Sequence, residues 1–249
     1  MREWWRELAG LVLPADCAGC GAARVLLCGA CRGALSGAGA GRVRPAARRA
    51  GPSGLPAVYA GARYEDAVRA VVLAHKERGA LPLAGPLGTA LAAAVARAGG
   101  GGAAGGAELV LVPVPSARRA VRARGHDPAR RIALAASGRL RGCGAAARVA
   151  PVLRLRRAVA DQAGLGARER WENLAGALEV LPGAAVLAAG ARIVLVDDVI
   201  TTGATLAEAA RALRAAGLRA EAAAVVAAPA DSFASRRTAA TRTGQKSCE

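Results

Sequence analysis

Aromatic side chains are almost missing from this 249-residue chain, which has three Trp, two Tyr and one Phe. A core of stacked rings is therefore excluded, and Val, Leu, Ile and Ala must supply the buried surface. Apolar residues make up 53% of the sequence, enough for a sizeable core. The same scarcity speaks against a nucleic-acid platform that stacks bases on rings. Histidine is limited to His75 and His126, which excludes a histidine-rich metal centre. No stretch reads as both long and apolar enough to span a bilayer, so no stable membrane insertion is expected. Glu3, Arg6 and Glu7 break the N-terminal residues, and Asp16 precedes Cys17, so neither a signal peptide nor a lipoprotein cleavage site is expected. The expectation is a cytoplasmic protein whose thiols stay reduced.

Lysine is scarce as well. Of 35 Lys and Arg residues only Lys76 and Lys246 are Lys, and against 18 Asp and Glu the net charge is +17. A sequence pI near 11.4 suits a polyanionic partner. Abundant Ala, Gly and Arg with little Lys, Ile, Phe or Tyr is also what G+C-rich codon usage produces. Charge alone therefore leaves nucleic acid, a phosphorylated small molecule and codon bias open.

What is present divides at composition shifts. Residues 1–16 read as an amphipathic helix, with Trp4, Trp5, Leu8, Leu11 and Val12 on one face that can dock on the body or on a membrane surface. Residues 17–35 hold paired cysteines. Residues 36–57 are rich in Gly, Pro and Arg and read as a linker. From 58 to 229 apolar runs alternate with helical patterns, the signature of a mostly parallel α/β sheet. Residues 230–249 read as a disordered tail. Within the body, helices are predicted over 65–76, 83–97, 128–137 and 204–216. Strands are predicted over 108–112, 149–153, 192–196 and 222–227. The Gly-rich run 99–106 lacks the Lys-Ser/Thr ending of a P-loop and precedes a strand, so it reads as a connector.

Cys17-Ala18-Gly19-Cys20 and Cys28-Gly29-Ala30-Cys31 are two C-x₂-C pairs. Four thiolates at this spacing match a structural Zn²⁺ site. Disulfides are the alternative and need an oxidising compartment. Cys143 and Cys248 are left over.

The chemistry concentrates in residues 193–205. Ile193, Val194, Leu195 and Val196 form a continuous apolar run, as a central parallel strand requires. Asp197 and Asp198 follow, then Val199, Ile200, Thr201, Thr202, Gly203, Ala204 and Thr205 open a helix. Ligands of open α/β sheets bind at the carboxyl ends of strands. A helix start offers free N–H groups to a phosphate. Gly203 is expected to remove a Cβ that would block that approach. Adjacent carboxylates suit the vicinal hydroxyls of a ribose, directly or through Mg²⁺. The bland alternative is two solvated carboxylates at a strand end.

This segment resembles the signature that binds phosphoribosyl pyrophosphate (PRPP) in type I phosphoribosyltransferases. The resemblance implies that fold, with a small N-terminal zinc module attached. It also implies that Asp197 and Asp198, the catalytic and ribose-binding pair, hold the hydroxyls, and that Thr201, Thr202, Gly203, Ala204 and Thr205 hold the 5′-phosphate. Members that use 6-oxopurines carry Asp where this chain has Thr201, which leans against hypoxanthine or guanine. The strand ending in Pro113, Val114, Pro115 and Ser116 resembles the pyrophosphate loop, with Ser116, Arg118 and Arg119 as anion donors. The alternative there is a Pro-stiffened turn with solvated arginines. His126 is a weak candidate base, and Asp127 before Pro128 reads as a helix N-cap. Residues 156–176, which hold Arg157, Gln162, Arg170 and Asn173, read as a hood that excludes water or as a charged surface helix.

Together the cysteine pairs, the stretch around Lys76, residues 112–125, residues 161–176 and residues 193–205 resemble the ComF family of competence-associated proteins. His126-Asp127-Pro128 departs from that pattern. The family resemblance implies PRPP with Mg²⁺, structural Zn²⁺ and an unidentified nitrogen nucleophile as acceptor. It leaves open a homo-oligomer and a non-catalytic role, either as a PRPP sensor or in binding single-stranded DNA during DNA uptake.

Overall fold

The computed structural model describes residues 16–45, 54–99, 108–159, 166–188 and 190–233. The expected helix before residue 16, most of the Gly-rich connector, Gln162 and the tail after residue 233 lie outside these.

Among the described residues the eight strands are β1 (Gly41–Val43), β2 (Ala57–Arg63), β3 (Leu109–Pro113), β4 (Ala147–Val149), β5 (Leu153–Leu155), β6 (Leu178–Val180), β7 (Arg192–Val199) and β8 (Ala220–Ala228). Six of them form one sheet in the order β1-β2-β8-β7-β3-β4. Every neighbouring pair in it is parallel except β1 with β2. Strands β5 and β6 form a separate antiparallel ribbon. The helices are α1 (Gly29–Ala34), α2 (Asp66–Glu77), α3 (Ala84–Ala98), α4 (Arg118–Arg124), α5 (Pro128–Gly142), α6 (Ala167–Leu174) and α7 (Ala204–Ala215).

The period-two geometry of a strand explains why β7 is apolar without a break. Val194 and Val196 face a core shared with α2, α3 and α5, while Ile193 and Leu195 face a second core shared with α7 and the β5–β6 ribbon. Both faces are covered, so each position must be apolar. Cys17, Leu27, Cys31 and Leu35 belong to the first core, so the cysteine segment packs on the sheet layer.

Several expectations need correction. The segment 36–57 contains strand β1, whose residues pair with β2 from Gly41↔Ala60 to Val43↔Val58. The strand expected over 149–153 is split. Val149 ends β4 and Leu153 begins the ribbon, because Pro151 between them has no N–H to offer a ladder. Residues 232 and 233, expected in the tail, are anchored: Arg44 N–H donates to Ser232 O at 2.7 Å, Val43 bridges Phe233, and Phe233 packs on the second core. Residues 81–98 also meet the length and composition of a membrane span, contrary to the reading of the sequence. Half of that stretch is buried, its Leu87, Leu91 and Val95 lying in the core of this fold.

Candidate functional site

The strand order reverses between β3 and β7. Strand β3 leads through α5 to β4 on one side, and β7 leads through α7 to β8 on the other. The two helices pack on opposite faces of the sheet. Such a reversal opens a crevice at the carboxyl ends of the two strands, where α/β sheets bind ligands. Asp197 and Asp198 lie at that end of β7, and Pro115 and Ser116 follow that end of β3.

The acidic pair lies inside the strand rather than after it. Asp197 pairs with Val225 and Val199 with Ala227, so the ladder continues past both carboxylates. Asp198 is buried and Asp197 half-buried. Asp197 Oδ1 accepts the Asp198 N–H at 2.8 Å, and Asp198 Oδ1 accepts the Val199 N–H at 2.7 Å. Lys76 Nζ stands 2.7 Å from Asp198 Oδ2. Burial and the adjacent Asp198 charge push the Asp197 carboxyl well above the usual carboxylate range, and Lys76 only partly opposes them. Burial lowers the Lys76 ammonium, but Asp198 and Asp197 outweigh it and hold the group above its ordinary value. Lys76 was not foreseen as a site residue. Its signal was its identity, because nearly every other basic position in this chain is Arg.

The loop after β7 turns into α7 at Gly203, whose φ of +81° lies in the left-handed region. A Cβ there would meet Leu55 Cδ2 at 3.1 Å and Pro45 Cγ at 3.4 Å. Glycine is thus favoured by its backbone conformation and by packing against the chain before β2. Thr202 Oγ1 accepts the Ala204 N–H at 3.3 Å. Thr201 is exposed, and Thr202 and Thr205 are partly exposed. The first-turn N–H groups of α7 have no acceptor within the helix, as at any helix start.

The segment after β3 is braced by its neighbours. Val114 N–H donates to Val196 O at 2.9 Å, which ties it to β7. Asp127 accepts the Arg130 N–H at 3.1 Å as the N-cap of α5, and its other oxygen accepts the Ser116 N–H at 3.2 Å. Arg118 and Arg119 are exposed at the start of α4. Arg124 grips Glu77 through two hydrogen bonds of 2.9 Å. His126 is buried, with Nδ1 3.2 Å from Arg124 O and Nε2 3.2 Å from His75 O. Both His126 nitrogens face backbone carbonyls, and the neutral ring can donate to one of them, which braces the segment before α5 against the end of α2. Burial lowers the pKa of the neighbouring His75, whose ring centroid lies 5.3 Å from that of His126.

Among the described residues, 156–159 and 166–177 lie between the two strands of the β5–β6 ribbon. Arg157 closes this segment by donating to Asn173 O at 2.8 Å and Ala175 O at 2.9 Å. From α6, Arg170 Nη1 reaches Thr201 Oγ1 at 3.3 Å, and Arg170 Nε is buried without an acceptor. The ribbon is fixed to α7 through buried Glu208, which accepts the Leu178 N–H at 3.0 Å, while Arg211 donates to Leu178 O at 2.9 Å. Burial raises the Glu208 carboxyl, but Arg211 and the Leu178 N–H outweigh it and hold it below its usual range. Between α6 and α7 lies a cleft of about 340 Å³ lined by Trp171, Leu174, Ala175, Ala207, Arg211 and Arg214 among others. The structure thus brings Arg170 to the loop at Thr201, and Asn173 lies in the same helix.

The four cysteine sulfurs lie within 4.8 Å of one another. Tetrahedral Zn–S bonds of ~2.3 Å would set sulfurs ~3.8 Å apart, and Cys20 and Cys28 are at 3.6 Å. A disulfide needs ~2.05 Å, and the five cysteines among the described residues are free. Cys28 N–H donates to Cys17 Sγ at 3.3 Å and Cys31 N–H to Cys28 Sγ at 3.5 Å. A Cβ on Gly19 would fall 2.6 Å from Cys31 Sγ, so only glycine lets the loop close round the sulfurs. Burial raises the Cys17 thiol, but the N–H groups of Cys28, Cys20 and Gly19 outweigh it and bring it to about 6. Burial and the neighbouring sulfurs push Cys31 far up. One thiolate forming against its neighbours is the signature of a cluster that suits a dication.

No match is found among curated proteins. The family model of the phosphoribosyl transferase domain matches residues 167–243. That span, less than half of the chain, includes the hood helix α6, the ribbon strand β6, all of β7 with its acidic pair, and α7 and β8. The match at residues 167–243 and the mostly parallel α/β sheet are both consistent with a phosphoribosyl transferase domain.

Proposed function

We propose that the crevice binds PRPP with Mg²⁺ and transfers its phosphoribosyl group to a nitrogen nucleophile. The observation that carries this reading is the acidic pair at the β3–β7 reversal, flanked by a helix start and a Ser-Arg loop, within the residues that match the domain. Asp197 and Asp198 hold the ribose hydroxyls. Thr201, Thr202, Thr205 and the first N–H groups of α7 hold the 5′-phosphate, with Arg170 closing from the hood. Ser116, Arg118 and Arg119 receive pyrophosphate. Asp198 already accepts the Lys76 ammonium at 2.7 Å, so a cation fits beside it. Bound with the substrate, Mg²⁺ would screen the pyrophosphate charge.

The bond from C1 to the pyrophosphate oxygen breaks, the nitrogen lone pair forms the new bond to C1, and the nitrogen sheds a proton. No protein nucleophile is required, and catalysis rests on positioning and electrostatics. The hood's part is to keep water from C1. The cysteine cluster holds structural Zn²⁺, and closed four-sulfur coordination leaves it no catalytic vacancy.

The deciding experiment incubates the protein with Mg²⁺·PRPP and a panel of bases and amines and reads pyrophosphate release. Release that depends on one acceptor supports the transferase, and none with any acceptor refutes turnover. Arg118, Arg119, Arg122, Arg130 and Arg131 are all exposed near the loop. They favour one second reading, a PRPP-responsive protein that binds single-stranded DNA without turnover. Salt-dependent binding of an oligonucleotide, altered by PRPP, would support it.

A further inference from the structure

Lys76 is the only lysine among the described residues, and it stands on one of the two carboxylates that define the crevice. Three consecutive residues at the end of α2 are each fixed by a different partner. The His75 carbonyl faces His126 at 3.2 Å, Lys76 pairs with Asp198 at 2.7 Å, and Glu77 takes the Arg124 fork at 2.9 Å. Arg124 and His126 belong to the same short stretch whose Asp127 holds the Ser116 N–H. The end of α2 is therefore clamped between the segment after β3 and the acidic pair. A lysine on a free helix end would sample many rotamers, whereas this one starts from a braced backbone.

Asp198 is held just as closely. Its side chain is 9% exposed and that of Lys76 36%, so the pair has a buried acid and a cation at the crevice wall. One carboxylate oxygen takes the Val199 N–H and the other takes Lys76. A carboxylate has about four acceptor sites, so donors on both oxygens fix its plane and still leave lone pairs for hydroxyls. Two adjacent carboxylates at a dry strand end repel, and an ammonium in contact with one offsets that repulsion.

We infer that Lys76 is a positioning residue for the ribose-binding pair: its ammonium holds Asp198 in one orientation, so that vicinal hydroxyls of a 5-phosphoribosyl ligand meet a fixed acceptor. The inference rests on reading the crevice as the PRPP site. Lys76 acts through Asp198 and need not touch the ligand. Arginine, used at almost every other basic position, would bring a wide fork where a compact ammonium sits.

The test is a double-mutant cycle of Lys76→Met and Asp198→Asn, with Lys76→Gln replacing Met if that variant does not fold. Calorimetric titrations use three ligands: Mg²⁺·PRPP, ribose 5-phosphate and inorganic phosphate. Lys76→Met is expected to weaken PRPP and ribose 5-phosphate about ten- to a hundred-fold. Inorganic phosphate, which has no hydroxyl pair, should keep its affinity. In the Asp198→Asn background the lysine substitution should add nothing further, since the two act as one unit. Equal loss for all three ligands would show a general charge or folding effect and overturn the inference. So would unchanged affinity in Lys76→Met, or additive losses in the cycle. A wild-type protein that binds neither sugar ligand would overturn the reading of the crevice, and the inference with it.

Discussion

Two regions of this protein crowd like charges together, and they solve the problem differently. The cysteine cluster gathers four sulfurs in one short loop and answers them with backbone N–H groups from that same loop. The crevice gathers two carboxylates and answers them with Lys76, brought by α2 from a distant part of the sequence. The first leaves room for a dication, since four sulfurs within 4.8 Å of one another match a metal-ligand set. The second carries its own cation and is complete as folded. The first place thus suits a cation from outside, whereas the second is met by one from the chain itself.

The largest effect should come from breaking the first region. Removing zinc by chelation, or ligation by Cys31→Ser, is expected to destabilise by more than about 4 kcal/mol, since the ligand cysteines share the main core. Metal analysis and thermal melts check it. Below about pH 6 Cys17 adds its own proton to the competition, so zinc affinity should fall steeply there.

Asp198→Asn comes next. It should weaken Mg²⁺·PRPP binding about ten- to a hundred-fold, with a smaller stability loss of ~1–2 kcal/mol for the freed Lys76. Calorimetry and melts on one preparation separate the two quantities.

Glu208→Gln should cost about 1–3 kcal/mol by weakening the hold on Arg211 and Leu178. Its carboxyl is lowered on folding, so its contribution is present above the ordinary Glu range near ~4.3 and fades as pH drops through the lowered value. Melts of wild type and variant should therefore converge in acid.

Asp197→Asn has the opposite sign. The folded protein holds that proton more tightly than the unfolded chain, so ionisation works against folding as pH rises from the usual Asp range through the raised value. The variant should be as stable as wild type in acid and slightly more stable at neutral pH. A loss of stability at neutral pH would mean that Asp197 is a structural acceptor. The smallest change concerns the hood: saturating Mg²⁺·PRPP should slow amide exchange in residues 166–176, and equal exchange with and without ligand would count against closure.

What could be read in advance follows from the same contrast. The cysteine cluster and residues 193–205 are contiguous, and contiguous patterns carry their geometry in their spacing. The Asp127 cap was legible for the same reason. Lys76 stood out by its identity and its surrounding stretch, but its partner did not, because nothing near it in sequence announces a carboxylate across the sheet. Strand β1 was hidden by its Gly and Arg residues, which pair as an edge although they lack apolar alternation. Gly203 was legible as necessary, but the packing of Leu55 and Pro45 beside it was not. Packing partners of that kind exist only once the chain has folded.

The pairing of β2 with β8 has a consequence for how the chain is made. Residues 57–63 leave the ribosome well before their parallel partner, residues 220–228. Helix α2 follows β2 directly, so Lys76 can settle on Asp198 only when the last strand has docked. Bridging of Val43 by Phe233 comes later still. A chain stopped before residue 220 would hold every putting-together of the acidic pair and its loop but not the strand that seats their lysine. The crevice is therefore completed only after residues 220–228 have emerged, and products truncated before them should lack the strand beside β2.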